Sequence, residues 1–535
     1  MVEIDELLAT PQWAAARRRA ESGPRVLLAT SMGGFNHGAV TDKALAIALT
    51  LRGAKVELFL CDGAPACHLT KIGKESPERI VQTDLRTRCS VCSQTGAQLM
   101  APLGLRVVTL SQLATNNDEL EAEAWAKGFD ATAPKGAITG AWNLEEHALA
   151  GALRYFARDE LSSEPLGPQV ARKFAKSAML TARAVDRLLA ADRYEVVCAN
   201  HGIYVPQGVI GEVARARGVR VVNWNPAYRR HCFIFSHGDT YHHTMISEPV
   251  SAWQGMDLTS ARRERITRYL RDRRQASGDW IWFNRAQDAS RDEITAKLGL
   301  DARPIVLALT SVVWDACLHY ESNAFASMAD WMIETIAYFE ARPDLQLVVR
   351  IHPAEMSGFV KSRARMSDII ANAFAELPQN VTIVSAEDPL STYSLIDEAN
   401  AVIVYSTKTG IEASAQGLPV IVAGEAWIRN KGFSYDADSP HAYRALLDTL
   451  PFQEPMSEYA RERALRYAYH FFFRRMIELP FLAEAGAAKF EIHVDELDCL
   501  GPGSHAGLDC VCDGILTGSA FVQDALDAAM SPLCL

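Results

Sequence analysis

The sequence predicts an α/β protein built from two doubly wound domains, each a parallel sheet flanked by helices. Three observations carry that expectation. Short apolar runs alternate with helical patterns over residues 25–223 and again over 304–423, a charged stretch without strand-like runs separates the two series, and polar residues gather where apolar runs end. At 535 residues the chain is too long for one ordinary core, so two domains are the natural division.

The first series opens with the buried-strand run 25–30, a glycine-rich turn over 31–38, helical spacing over 41–53 and a second run over 55–60. Such a βαβ opening predicts parallel pairing with a right-handed crossover. The runs 194–199 and 219–223 bracket a predicted helix over 207–217 and repeat the unit. Residues 1–250 are therefore expected to form an N-terminal Rossmann-like domain. Residues 251–303 are charged, with Arg262, Arg263, Arg265, Arg271, Arg273 and Arg274, and read as a helical linker region.

A second domain is expected over 304–450, starting with the run 304–310. Its first long helix places Phe325, Met328, Met332, Ile336 and Phe339 at three- and four-residue intervals, one apolar stripe for a sheet to cover. Further runs at 345–351, 380–384, 401–405 and 419–423 continue the winding. Residues 451–483, rich in aromatics such as Tyr467, Tyr469 and Phe471, predict crossover helices. Gly and Cys rise in the tail 484–535, which reads as an appendage.

A formal charge of −11 argues against nucleic-acid binding, which needs a cationic face to release phosphate counterions. Residues 1–24 lack the apolar core of a secretory signal, and no run of about twenty apolar residues suggests a membrane span. Eleven cysteines, an odd number spread along a long chain, suit a reducing cytoplasm. The expectation is a cytoplasmic protein with at most peripheral contact at the inner face of the inner membrane.

Two strand ends in the second domain carry the chemistry. One run ends in Arg350, His352, Pro353 and Glu355, and proline biases His352 toward the extended geometry of a last strand residue. Another ends in Ser406, Thr407, Lys408, Thr409, Gly410 and Glu412, where three hydroxyls, a small glycine and the first N–H groups of a helix could grip an anion. The plainer alternative for the Ser and Thr residues is helix capping. For acid–base work the candidates are His37 in the glycine-rich turn, Asp42 after it, Asn200 and His201 at another strand end, and Asp315. His37 and Asp315 are preferred.

Cys61 and Cys67 flank a turn after the second strand, and Cys89 and Cys92 form a Cys-x-x-Cys pair. Two thiolate pairs suit a structural zinc site with His68 as a spare ligand, an iron–sulfur cluster would use the same four, and four reduced thiols are the plain alternative.

The motifs Thr310 to Asp315, Arg350 to Glu355, Tyr405 to Ala413 and Val422 to Trp427, followed by Lys431, together resemble the capsule polysaccharide biosynthesis family, relatives of Kdo transferases. That resemblance covers roughly 304–440 and implies a GT-B fold. Two Rossmann-like domains would face each other across a cleft, joined by a helical C-terminal crossover. The N-terminal domain, with its cysteine-rich loop 61–92, would take the acceptor side, and the C-terminal one would hold a CMP-, UDP- or GDP-linked sugar. His352, Pro353, Ser406, Thr407 and Thr409 are the implied phosphate contacts. The absence of an Asp-x-Asp pair at a strand end points to transfer to a glycan or glycolipid acceptor without a catalytic metal. Nucleotide-sugar epimerases share the paired-domain fold, and a non-catalytic sugar-nucleotide-binding component of a polysaccharide assembly complex would keep the same phosphate grip.

Overall fold

A computed structural model describes residues 3–83, 86–133, 136, 140–275, 278–280, 288–358, 360–486 and 489–523. The chain divides into two compact units. The first comprises 1–156, 160–244 and 473–535, and the second 157–159 and 245–472.

The strands of the first unit are β1 (Arg25–Ser31), β2 (Lys55–Leu60), β3 (Arg106–Thr109), β4 (Val196–Asn200), β5 (Arg220–Pro226) and β6 (Cys232–His237). In the second unit they are β7 (Ile305–Leu309), β8 (Gln346–Arg350), β9 (Val381–Val384), β10 (Ala401–Val404), β11 (Val420–Val422) and β12 (Tyr435–Asp436). A short β13 (Ile477–Glu478) follows the return to the first unit.

The first sheet runs β13-β6-β5-β4-β1-β2-β3. Its core, β3-β2-β1-β4-β5, is parallel, while β6 and β13 add antiparallel pairs at one edge. The second sheet runs β12-β11-β10-β7-β8-β9 and is parallel throughout. Both orders place the chain reversal beside the first strand of the unit: between β1 and β4, and between β7 and β10. The central strands β4, β7, β8 and β10 are buried along their full length, as sheets covered on both faces require.

The helix Met328–Glu340 turns Met328, Met332, Ile336 and Phe339 into the second core, as its spacing predicts. Phe325 packs partly buried against that core, just ahead of the Ser327 cap. Residues 251–303, expected as a linker, lie within the second unit. There the helix Ser260–Arg274 buries Ile266, Tyr269 and Leu270. The tail also departs from expectation. Helix Ala506–Thr517 belongs to the first unit and buries Leu508, Val511, Cys512 and Ile515, while Arg52 donates to the carbonyls of Leu500 and Gly501 at 2.8 and 2.9 Å. Among the described residues no helix is long and apolar enough to cross a membrane.

Candidate functional site

In an open parallel sheet, ligands settle outside the carboxyl ends of the strands, where the winding reverses. In the second unit that place lies between β7 and β10. Ser311, just past β7, and Ser406, just past β10, meet there with their hydroxyl oxygens 2.6 Å apart. Thr310 accepts a hydrogen bond from the backbone N–H of His352 at 3.0 Å, which ties the end of β8 to the same rim.

The His352 ring is positioned by its own turn. Its Nδ1 accepts from the Ala354 N–H at 3.0 Å, so in the neutral ring the proton sits on Nε2, a donor. Burial lowers its pKa to about 4, with Lys408 and Arg350 adding to the effect, so the ring is neutral at pH 7. Ser406 bonds to Ser311, and the neighbouring Thr310 to the His352 N–H, so the two predicted strand-end motifs share one neighbourhood.

Thr407 acts largely as a cap. Its hydroxyl accepts from the Thr409 N–H at 3.3 Å and donates to the Thr409 hydroxyl at 3.2 Å. The Gly410 N–H goes to the Thr407 carbonyl at 3.2 Å and the Ile411 N–H to the Lys408 carbonyl at 2.9 Å. These first-turn amides were expected to face an anion; the tight turn engages them instead, and the helix Thr409–Ala415 is only seven residues long. Gly410 serves packing: a Cβ there would stand 3.0 Å from Cδ1 of Ile428.

Several predicted contact residues have structural partners. Arg350 is buried and donates to the carbonyl of Asp388 at 3.2 Å and the hydroxyl of Thr392 at 3.3 Å. Glu355 accepts from the Met366 N–H at 3.2 Å, and burial raises its carboxyl to about 7. Pro353 caps the short helix Ala354–Ser357. Glu412 is fully buried and accepts from Lys408 at 2.7 Å and Tyr393 at 2.7 Å, with Arg273 at 3.3 Å. Burial alone would raise that carboxyl, but Arg273 and Lys408 hold it down to about 2. Lys431 is also interior, donating to the carbonyls of Ile246 and Glu248 at 2.9 and 2.8 Å.

Of the acid–base candidates, Asp315 does not end β7. It lies six positions beyond Leu309, exposed, with its Oδ1 accepting from the Ala316 N–H at 3.1 Å. His37 is the second residue of helix Asn36–Leu51, in the first unit, with its ring 4.1 Å from that of Phe490 and its pKa lowered by burial. Asn200 donates to the Trp224 carbonyl at 3.1 Å, and His201 takes a left-handed backbone (φ 67) at the end of β4. The expected zinc finds no support: among the described residues no three His, Cys, Asp or Glu side chains are gathered to hold a metal ion.

Sequence reading left Thr310 and Ser311 off the site. Their signal was their place directly after the first strand of the second series, the counterpart of Ser406 across the reversal. A cavity of about 580 Å³ elsewhere in this unit, lined by Arg263, Arg271, Arg274 and Arg461, adjoins Ala415 and Gln416 at the other end of the seven-residue helix.

Residues 260–457 match the family described as "Capsule polysaccharide biosynthesis protein", so the resemblance read from the motifs holds over this part of the chain. Among solved structures the chain is similar to the beta Kdo 2,4 transferase KpsC of Thermosulfurimonas dismutans, at 13% identity and TM-score 0.34, covering 51% of this chain and 79% of that one. The beta Kdo 2,7 transferase of the same protein and organism gives 13% identity and TM-score 0.32, covering 54% and 79%. UDP-GlcNAc 2-epimerase from Neisseria meningitidis, bound to UDP-GlcNAc, gives 9% identity and TM-score 0.25, covering 83% and 95%. No curated protein matches the chain.

Proposed function

We propose that this protein is a glycosyltransferase of bacterial surface polysaccharide biosynthesis, moving a sugar from a nucleotide donor to a glycan or lipid-linked acceptor. The observation that carries the reading is the meeting of Ser311 and Ser406 at 2.6 Å beside His352, at the winding reversal of the unit that holds the family match. Cleaving a sugar–nucleotide bond leaves negative charge on phosphate, and preorganised donors aimed there lower the barrier. Neutral His352, donating through Nε2, and the two serine hydroxyls supply such donors without a catalytic metal. Thr407 and Thr409, bonded to each other, shape the turn that follows Ser406.

A second group must take the proton of the acceptor hydroxyl. We assign that task to His37 or Asp315; burial lowers the pKa of the His37 imidazole. The reaction would take place in the cytoplasm, with at most peripheral contact at the membrane surface.

The test screens CMP-, UDP- and GDP-sugars for a rise in melting temperature, because a ligand that binds only the folded state stabilises it by mass action. One nucleotide class is expected to stabilise the protein, and His352→Ala to abolish the shift while leaving the unliganded melting temperature near that of the parent. An undiminished shift in that variant removes the role given to His352. Release of free nucleotide only in the presence of an acceptor glycan distinguishes transfer from epimerisation, and binding without turnover indicates a non-catalytic component.

A further inference from the structure

The arginine-lined cavity of the second unit is bordered by none of Ser311, Ser406 and His352, and the proposed transfer makes no use of it. At about 580 Å³ it has the size of a small-ligand site. Two helices supply its walls. On Ser260–Arg274 the lining residues Arg263, Thr267, Arg271 and Arg274 follow at steps of four, four and three, so they share one face. On Glu458–Tyr469 the residues Glu458, Arg461, Glu462 and Leu465 do the same. Ala415 and Gln416 add the end of the helix Thr409–Ala415.

Four arginines thus face the space against two glutamates. Two of them are engaged: Arg263 pairs with Glu462, and Arg274 reaches both carboxylate oxygens of Asp397. Arg271 and Arg461 are not. Among the described residues neither guanidinium has a hydrogen bond or an ion pair. Both are exposed, and a solvated arginine alone would be ordinary. Arg461, however, is placed by the backbone beneath it. A Cβ on Gly417 would stand 3.3 Å from its Cδ and 3.4 Å from its Nε, and the φ of 94 at that position favours glycine. The carbonyls of Glu412, Ala413 and Ser414 at this helix end are already engaged by the N–H groups of Gln416, Gly417 and Leu418. The positive charge of the two arginines is therefore left for something that enters the cavity.

We infer that this cavity is a second ligand site, which takes a phosphate monoester or diphosphate group on Arg271 and Arg461. Each guanidinium offers a planar fork of donors that matches the oxygens of such a group. A phosphate monoester carries about −1.5 to −2 at pH 7, enough for both arginines, where a carboxylate brings a single charge. Thr267 and Gln416 add neutral hydrogen-bonding groups to the same lining. The phosphate can belong to a soluble metabolite or to a lipid headgroup, and the chemistry of recognition is the same. This assignment does not rest on the transferase reading.

The test titrates the full chain with inorganic pyrophosphate by calorimetry, against potassium chloride of matched ionic strength as the blank. Saturable binding is expected. Arg271→Gln and Arg461→Gln should each weaken it by about tenfold or more, the usual loss when a charge-assisted hydrogen bond is removed. Arg268→Gln should bind like the parent, because Arg268 is on the same helix but outside the cavity and pairs with Glu264. His352→Ala should also bind like the parent, which separates this site from the donor site. No saturable heat above the chloride blank overturns the proposal, as does parent affinity in both Arg271 and Arg461 variants. Loss of binding in His352→Ala with retention in the arginine variants overturns it too, by assigning the pyrophosphate to the donor site. Both arginines are exposed, so their variants are expected to melt with the parent, and a melting curve of each confirms that a lost affinity is not lost folding. Cosedimentation with phosphatidylcholine vesicles, with and without phosphatidic acid, then distinguishes the sources. Capture of the parent but not of the arginine variants by the acidic vesicles identifies a headgroup, and pyrophosphate binding without capture identifies a soluble ligand.

Discussion

Asp42 is fully enclosed on the helix Asn36–Leu51, with its Oδ1 accepting from the Trp224 indole N–H at 3.1 Å. Burial drives its carboxyl up to about 7, against the smaller opposing pull of Thr30 and Trp224. The sign of the consequence follows from proton linkage. Between about pH 4 and 7 the unfolded chain has already lost this proton while the folded one keeps it, so stability falls as pH rises through that window. Asn in place of Asp keeps an acceptor for the indole and removes the titration. Asp42→Asn should therefore gain stability relative to the parent as pH rises from about 4 to 7, measured by urea unfolding at several pH values. A constant difference across that range would show that Asp42 does not titrate there. Asp42 is thereby explained as an interior group rather than an acid–base catalyst, a distinction the sequence cannot make because a carboxylate after a glycine-rich turn reads the same either way.

At the scale of elements, the helices Ser260–Arg274 and Thr409–Ala415 are joined by a buried charge network. Arg273 pairs with Glu412 at 3.3 Å and with Asp279, Tyr269 donates to Asp279 at 2.9 Å, and Lys408 and Tyr393 both bond Glu412. Seven arginines made the first of these helices look like a solvated linker, since local charge density is all that composition registers. Its apolar stripe of Ile266, Tyr269 and Leu270 was present in the sequence but weak, and the partners that permit Arg273 to be buried are well over a hundred residues away in one case. Lys408 and Glu412, four residues apart, were legible as a pair on one helix face. Removing one member of a buried network leaves an uncompensated charge, which costs about 3–5 kcal/mol. Glu412→Gln, which strips the counter-charge from both Arg273 and Lys408, is expected to lose that much in chemical denaturation. A variant within about 0.5 kcal/mol of the parent would mean that the network is solvated and of little consequence.

For the whole molecule, alternation of apolar runs and helical patterns was sufficient to read two doubly wound units, because parallel strands buried on both faces announce themselves as short continuous apolar runs. The discontinuity of the first unit was not legible. The chain leaves it after Thr244, builds the second unit, and returns at Phe473, where β13 pairs with β6 through only two residues on each side. A two-residue pairing across more than two hundred positions has no local signature. Nor does the helix Ala506–Thr517 stand out, since Gly507, Gly514, Cys510 and Cys512 dilute its stripe of Leu508, Val511 and Ile515. Yet this helix closes one side of the first unit: its Asp509 pairs with Arg52, and its Leu516 carbonyl accepts from Arg220 at 3.0 Å. Ending the chain at residue 503 would expose the surface that those apolar side chains cover, a loss on the order of 5 kcal/mol for three or four buried groups. That approaches the full stability of an ordinary domain. The shortened chain should therefore be largely insoluble or unfold at a markedly lower temperature, whereas Leu508→Ala and Ile515→Ala, each costing about 2–5 kcal/mol, should lower the melting temperature of a chain that remains soluble. Unchanged cooperative melting of the shortened chain would establish that the terminal helix is an accessory to the first unit and not part of its core.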